Sequence, residues 1–192
     1  MHYGAMTFRS YLFVGIFGLV SLGFCSGTAT IQNPGFETFF AATDSFAFWK
    51  IDTAGKSNFI VTQATDSAHS GTGCLKMQIK DTTDITTSVR ITGAITGLLP
   101  NKPFTITAWV KYANIPTYYN AMFGLQQATL TPGTWAWTDR KWLTPWGNDP
   151  GTTDWKQITG QGTTDDSANV FNLVISLSKG GPLWVDDIVV TY

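Results

Sequence analysis

The segment from Phe104 to Tyr112 alternates between apolar and polar side chains, and this alternation restricts the fold more than any other stretch. One parity holds Phe104, Ile106, Ala108, Val110 and Tyr112, and the other holds Thr105, Thr107, Trp109 and Lys111. Successive side chains of a strand point to opposite faces of a sheet. The pattern therefore predicts a half-buried antiparallel strand with Trp109 on its polar face.

Similar short segments recur along the chain, separated by turn-forming Gly, Pro, Asn and Asp. Residues 169–177 repeat the alternation, with Phe171 and Leu173 predicted to face inward. Residues 46–51 and 58–63 are expected to pair as a hairpin. No amphipathic helix of useful length follows residue 29. Strands at this spacing predict an all-β fold, an antiparallel β-sandwich of jelly-roll type, formed by one domain over residues 30–192.

The charge balance argues against nucleic acid as a partner. The formal net charge is −1 with a pI near 6.0, whereas a nucleic-acid-binding protein needs a basic face. Only 13% of the residues are charged, and Thr and aromatic residues are abundant. This composition favours an extracellular β protein.

Residues 1–29 have the order of a secretory signal peptide. Arg9 precedes an apolar run from Tyr11 to Phe24, and small residues follow. The run is shorter than the ~20 residues of a membrane-spanning helix. We therefore expect a secreted or cell-surface protein with no membrane contact after cleavage, although the segment could instead be retained with a structural role. Cys74 is expected to be a buried free thiol.

The final segment, from Pro182 to Tyr192, predicts a strand with a carboxylate at an unusual position. Trp184, Asp186, Ile188 and Val190 share one parity, so Asp186 is expected on the core-facing side. Burial of a carboxylate is costly unless a cation neutralises it. If the first and last strands are adjacent, Glu37 and Asp186 could share one Ca²⁺. The alternative is a solvated Asp186 at a strand end.

Six motifs in order carry a family resemblance. They are NPGFET, a tryptophan at position 49, DSAHSGTGCLKMQI, LLPNKPFTITAWVKY, TTDWKQITGQGTT and LWVDDIVV. Together they resemble carbohydrate-binding modules of the galactose-binding-like superfamily, of the family 4/9/16/22 type, over residues 31–192. The resemblance implies a β-jelly roll and a structural calcium. Its implied ligands are Glu37, backbone oxygens from Ser70 to Gly73, and Asp186 or Asp187.

Catalysis finds little support in the sequence. The motifs of serine hydrolases, zinc proteases, P-loop proteins and Rossmann enzymes are absent. His69 is the only histidine after residue 29, and the resemblance implies a structural role for its turn. Acidic residues that could pair for glycoside hydrolysis are scattered in loops and strands. We therefore predict that the chain is not an enzyme.

Binding chemistry is concentrated between residues 116 and 155. Sugar rings pack their apolar faces against flat aromatic rings, and their hydroxyls need polar partners. The predicted ligand-binding residues are Trp109, Gln126, Trp135, Trp137, Asp139, Arg140, Trp142 and Trp146. The alternative is that these aromatic residues belong to the core. Whether the ligand lies on a sheet face or at a loop edge is open.

The function predicted from the sequence is secreted, noncatalytic binding of a polysaccharide or glycan by a calcium-stabilised module. The alternative is a self-assembling structural subunit of an extracellular filament, sheath or surface layer. In that case the partner is another copy of the chain, which donates a strand to an exposed sheet edge.

Overall fold

Thirteen β-strands form the regular structure of the residues that the computed structural model describes, which are 27, 29–52, 57–81, 83, 87–117, 120–145 and 151–192. For residues 137–145 the backbone alone is described. The strands are β1 (Thr30–Ile31), β2 (Phe39–Phe40), β3 (Ser45–Phe46), β4 (Trp49–Asp52), β5 (Phe59–Ala64), β6 (Cys74–Ile79), β7 (Val89–Thr96), β8 (Pro103–Ile115), β9 (Ala121–Thr131), β10 (Thr134–Pro145), β11 (Gly151–Thr163), β12 (Val170–Leu177) and β13 (Leu183–Thr191). Within these ranges no helix has the length and apolarity needed to cross a membrane.

The strands form two antiparallel sheets and a small hairpin. The six-stranded sheet has the order β1-β7-β12-β9-β10, and β4 pairs with β7 beside β1. The five-stranded sheet has the order β11-β8-β13-β6-β5, and β2 pairs with β3. Neighbours in these lists are mostly distant in sequence, as in a jelly roll. The predicted all-β sandwich is confirmed.

The core lies between the two sheets and follows the predicted alternation. The even-numbered residues of β8 from Phe104 to Tyr112 are buried, and Trp109 lies half-buried on the outer face. In β12, Phe171 and Leu173 are buried while Asn172 faces outward. Cys74 is a buried free thiol, as predicted.

The predicted hairpin between residues 46–51 and 58–63 is wrong. The strand β4 pairs with β7, whereas β5 pairs with β6 in the other sheet. One cause is Phe48, whose φ of 68° interrupts the extended backbone before Trp49. Another is the large indole of Trp49, which lies opposite Gly93 in β7, where a Cβ atom would approach the ring to 2.8 Å. The glycine makes room for the ring and favours this pairing.

The predicted common face for Trp184, Ile188 and Val190 is also wrong. Trp184 lies on the outer face, half-buried between the ammonium groups of Lys76 and Lys111. The register shifts between Asp186 and Val189, and Asp187 has a φ of 48°. This β-bulge adds a residue to β13 and reverses its alternation, so that Ile188 and Val190 face the core.

The beginning of the described chain runs beside its end. The amide of Tyr192 donates to the carbonyl of Gly27, and the amide of Ile188 donates to Pro34. The strand β1, however, pairs with β7 rather than with β13. The loop that follows Pro34 is thereby held over the bulge, next to Asp186.

Candidate functional site

A cluster of carboxylates lies at the β13 bulge. Asp186 is fully buried, and its Oδ2 accepts hydrogen bonds from the amides of His69 at 2.9 Å and Ser70 at 3.1 Å. Its Oδ1 accepts from the amide of Asp187 at 2.8 Å. Burial raises the pKa of Asp186 above its usual range, although the amide bonds oppose this effect. The chain thus places a poorly solvated carboxylate beneath two loops.

Asp187 connects the same loop to the bulge through its side chain. Its Oδ2 lies 2.6 Å from His69 Nδ1, and its Oδ1 accepts from Ser70 Oγ at 2.7 Å. A serine hydrolase requires the serine to bond the imidazole, which in turn bonds the acid. Here the serine and the histidine both bond the acid. The geometry therefore favours a structural role for His69.

Glu37 approaches the cluster from the N-terminal loop. Its Oε2 accepts from Thr72 N at 2.9 Å and from Thr72 Oγ1 at 2.7 Å. Its Oε1 packs against Gly71, which has a φ of 62°, and a Cβ atom there would overlap this oxygen. A Cβ atom on Gly35 would lie 3.7 Å from Glu37 Oε1 and 3.2 Å from Asp186 Oδ1. The two carboxylate oxygens therefore border one small space.

These contacts test whether the predicted calcium ligands fit together. Glu37, Ser70, Asp186 and Asp187 converge on the bulge, whereas Gly73 packs against the side chain of Gln63. Among the described residues, no three His, Cys, Asp or Glu side chains are grouped as a metal site. A cation between Glu37 and Asp186 would thus complete its shell with backbone oxygens and water, which calcium accepts.

Trp109 lies beside this cluster, on the outer face of the five-stranded sheet. Its ring stacks on His69 with a centroid distance of 3.9 Å, and Trp155 contacts His69 edge-on at 5.5 Å. Trp109 pairs with Asp186 across the β8–β13 ladder. The structure therefore places it on the five-stranded sheet, apart from Gln126 and Trp135.

An open groove of about 760 Å³ crosses the outer face of the six-stranded sheet. It is lined mainly by strand residues that point away from the core, together with the buried Trp49 and with exposed residues at its two rims. The lining residues are Phe48, Trp49, Lys50, Asp52, Arg90, Thr92, Ala94, Gln126, Trp135 and Asn172. Ligand sites are typically concave surfaces that combine apolar walls with a few polar groups. This groove is the candidate glycan site.

Two exposed aromatic side chains stand at opposite rims of the groove. Phe48, before β4, is 69% exposed, and Trp135, on β10, is 47% exposed. Between these rims, Asn172 pairs directly with Gln126 in the β12–β9 ladder. Five strands from β4 to β10 span roughly 19 Å at the usual spacing of neighbouring strands. The groove is therefore wide enough for several sugar units.

Phe48 lines the candidate groove but was not predicted from the sequence. The run FAFW suggests a buried strand, because nothing in it distinguishes Phe48 from Phe46 or Trp49. In the structure Phe46 and Trp49 are buried, and Phe48 is turned outward by its left-handed backbone conformation. The alternation of Phe46 and Phe48 thus breaks at a turn that carries no Gly, Asn or Pro to signal it.

The remaining predicted ligand-binding residues lie on or beyond β10. The backbone register sets Trp137 opposite Ala128, Asp139 opposite Gln127, Arg140 opposite Gln126 and Trp142 opposite Gly124. Because Gln126 lines the groove, this part of β10 forms its neighbouring edge. Trp146 lies outside the described residues.

Comparisons by sequence return no match: no family model and no curated protein resembles the chain. Comparison with solved structures does return matches. The enzymatically active domain of tailspike protein 4 from bacteriophage CBA120 matches with a TM-score of 0.62 and 12% identity over 85% of this chain. The chain spans about a fifth, 21%, of that tailspike chain.

Two carbohydrate-binding modules match over nearly their whole length. The CBM22-1 xylan-binding domain of Paenibacillus barcinonensis Xyn10C has a TM-score of 0.54 and 14% identity, covering 85% of this chain and 94% of that domain. A family 4 module has a TM-score of 0.50 and 21% identity, covering 84% of this chain and 98% of that one. The chain has the β-sandwich fold of carbohydrate-binding modules.

Proposed function

We propose that the chain is a noncatalytic glycan-binding module whose ligand lies in the groove on the six-stranded sheet. The observation that carries the proposal is the position of two exposed aromatic rings, Phe48 and Trp135, on either side of the amides of Gln126 and Asn172. Aromatic rings pack against the apolar faces of sugars, and amides both donate to and accept from hydroxyl groups. The likeness to a xylan-binding domain supports this choice of ligand class.

The charge of the groove supports binding without hydrolysis. Glycoside hydrolysis usually requires two carboxyl groups that flank the scissile bond. Among the described residues that line the groove, Asp52 is the only carboxylate. His69 and Ser70 lie in the turn before β6 and share Asp187, an arrangement that leaves the serine without a base.

Affinity electrophoresis in gels that contain soluble xylans, β-glucans, mannans, galactans or uronic-acid polymers tests the proposal. We expect at least one polymer to retard the protein, and Trp135→Ala to weaken that binding about tenfold through the lost stacking. Phe40→Ala is the matched control, because Phe40 is 53% exposed but lies outside the groove. The proposal fails if no polymer retards the protein, or if both variants behave alike.

We also propose that calcium stabilises the fold at the β13 bulge. Glu37 and Asp186 would hold the ion, and its charge would offset the burial of Asp186. The support for this proposal is that Glu37 Oε1 and Asp186 Oδ1 border the same space beside Gly35. The ion would thereby connect the N-terminal loop to the last strand.

Secretion remains a proposal from the sequence, because residues 1–29 lie almost wholly outside the described residues.

Self-assembly into a filament is the second candidate function. The long edge strand β11, of 13 residues, has only β8 as its partner within the described part of the chain. An open edge of this length can accept a strand from a second molecule. Electron microscopy of the purified protein separates dispersed particles from filaments.

A further inference from the structure

We propose that the groove selects acidic polysaccharides, whose carboxylate is held by Arg90 and Lys50. This inference rests on the proposed function, because it names the class of glycan that the same groove takes. The described lining residues hold two cations and one anion, Asp52, so this part of the groove carries one excess positive charge. The chain as a whole has a formal charge of −1. The excess cation is thus a local property of the lining that the structure describes.

The two cations are close enough to act on one ligand group. Lys50 lies opposite Thr92 in the β4–β7 ladder, and Arg90 lies two residues before Thr92 on the same face. Such diagonal neighbours are about 7–8 Å apart, with their Cβ atoms somewhat closer, which is within reach of long side chains. Lys50 is exposed, and the side chain of Arg90 is one-third exposed. Both side chains can therefore turn toward a ligand.

Arg90 has more donors than the described residues satisfy. Its Nη1 lies 3.8 Å from Asp52 Oδ2, which is an ion pair but too long for a hydrogen bond. Its Nε is shielded from solvent and finds no acceptor among the described residues. A guanidinium offers five donors, and a pair of them on one edge matches the two oxygens of a carboxylate. A small rotation of Arg90 would present its Nε edge to a ligand.

A uronic acid carries the carboxylate that the Nε edge of Arg90 lacks as an acceptor. Its carboxylate would make charge-assisted bonds to Arg90, with Lys50 as a second cation. The neighbouring sugars of the polymer would then reach Asn172 and Gln126 with their hydroxyls and Trp135 with a ring face. A neutral polymer can satisfy these last three residues but offers no carboxylate to Lys50 or to the Nε edge of Arg90.

The test uses the whole chain and pairs of polymers that differ only in their carboxylates. Polygalacturonate, alginate, hyaluronan and glucuronoxylan are each compared with their methyl-esterified or carboxyl-reduced form by titration calorimetry. We expect at least one acidic polymer to bind about tenfold more tightly than its neutral counterpart. Raising the salt concentration should weaken that binding, because exposed charges are screened.

Substitutions test whether the preference for the acidic polymer arises in the groove. Arg90→Gln should remove most of the preference for the acidic form, while Arg90→Lys should retain part of it because the charge remains without the planar edge. Lys111→Gln removes an equal charge on the other sheet, beside Asp154, and should leave binding unchanged.

The outcomes separate this inference from the proposed function. If only neutral polymers bind, or each pair binds equally, the selectivity is overturned while glycan binding stands. If Arg90→Gln and Lys111→Gln weaken binding equally, the carboxylate is held elsewhere and the inference is again overturned. If no polymer of either kind binds, the proposed function fails, and this inference fails with it.

Discussion

The imidazole of His69 lies nearly parallel to the indole of Trp109, with 3.9 Å between ring centroids and 16° between planes. The same imidazole bonds Asp187 at the β13 bulge. One side chain thereby connects the turn before β6 to two neighbouring strands of the five-stranded sheet. Asp186 lies opposite Trp109 in that ladder and accepts a hydrogen bond from the amide of His69, so the stack lies beside the buried carboxylate.

Replacing His69 with Ala should therefore lower the free energy of unfolding by about 2 kcal/mol, because the stack and a side-chain hydrogen bond are both lost. Urea unfolding measures the loss, and the tryptophan emission should shift to longer wavelength as Trp109 becomes exposed. Ser70→Ala, which removes one bond to the same Asp187, should cost less. Equal stability of His69→Ala and the unsubstituted chain would contradict this role.

Gly71 and Gly133 form a matched pair for the packing of Glu37. Both have a left-handed backbone, with φ of 62° and 79°, but a Cβ atom on Gly71 would overlap Glu37 Oε1 while one on Gly133 meets nothing within 4 Å. Gly133→Ala should cost about 1 kcal/mol of backbone strain. Gly71→Ala should cost about 1–2 kcal/mol more, since Glu37 must move. Thermal unfolding of both variants measures the difference, and equal losses would place Glu37 away from Gly71.

Calcium should raise the thermal stability of the protein, and a chelator should reverse the effect. Glu37→Gln should abolish the response to calcium, because it removes one of the two charged ligands proposed for the ion. Asp44→Asn removes an equal charge from an exposed turn and should keep the response. Differential scanning calorimetry with calcium and with chelator measures all three proteins. An unchanged midpoint for the unsubstituted chain would overturn the calcium proposal.

The sequence predicted the sheets better than it predicted the site. The alternation from Phe104 to Tyr112 depends on side-chain parity alone, so it was correctly read from the residues. Trp184 was predicted on the same face as Ile188 and Val190, and this was wrong. The bulge at Asp187 reverses the alternation of side chains along β13, and no glycine marks it in the sequence. The contact of Trp109 with His69, 40 positions earlier, was not predicted, because sequence spacing does not reveal which distant side chains stack. Long-range contacts of this kind depend on the order of strands in the sheets.

The Cys74 thiol should stay protonated throughout the neutral range. Burial, together with the nearby carboxylate of Asp186, raises its pKa from 9.0 to about 12. The native protein binds this proton more tightly than the unfolded chain does, so the associated stability is complete below pH 9 and is lost between about pH 9 and 12. Stability from urea unfolding across this range should fall less steeply for Cys74→Ala. A thiol reagent should label Cys74 at pH 8 only after unfolding, and rapid labelling of the native protein would contradict its burial.

Replacing Phe48 with Gly should raise the stability of the protein and weaken its binding of the glycan. A non-glycine residue in the left-handed region costs about 1 kcal/mol or more, and Phe48 adopts this conformation with a φ of 68° while leaving 69% of its surface exposed. Phe48→Gly relieves the strain and should raise the free energy of unfolding by about 0.5–1 kcal/mol, after the greater entropy of the unfolded chain is counted. The same change removes a ring from the groove rim and should weaken binding of the glycan about fivefold to tenfold.

Phe48→Ala separates the two effects, because it loses the ring but keeps the strained backbone. Its affinity for the glycan, measured by calorimetry, should match that of Phe48→Gly, whereas its free energy of unfolding in urea should show no gain. If Phe48→Gly binds as tightly as the unsubstituted chain, the strained rim serves some purpose other than sugar stacking.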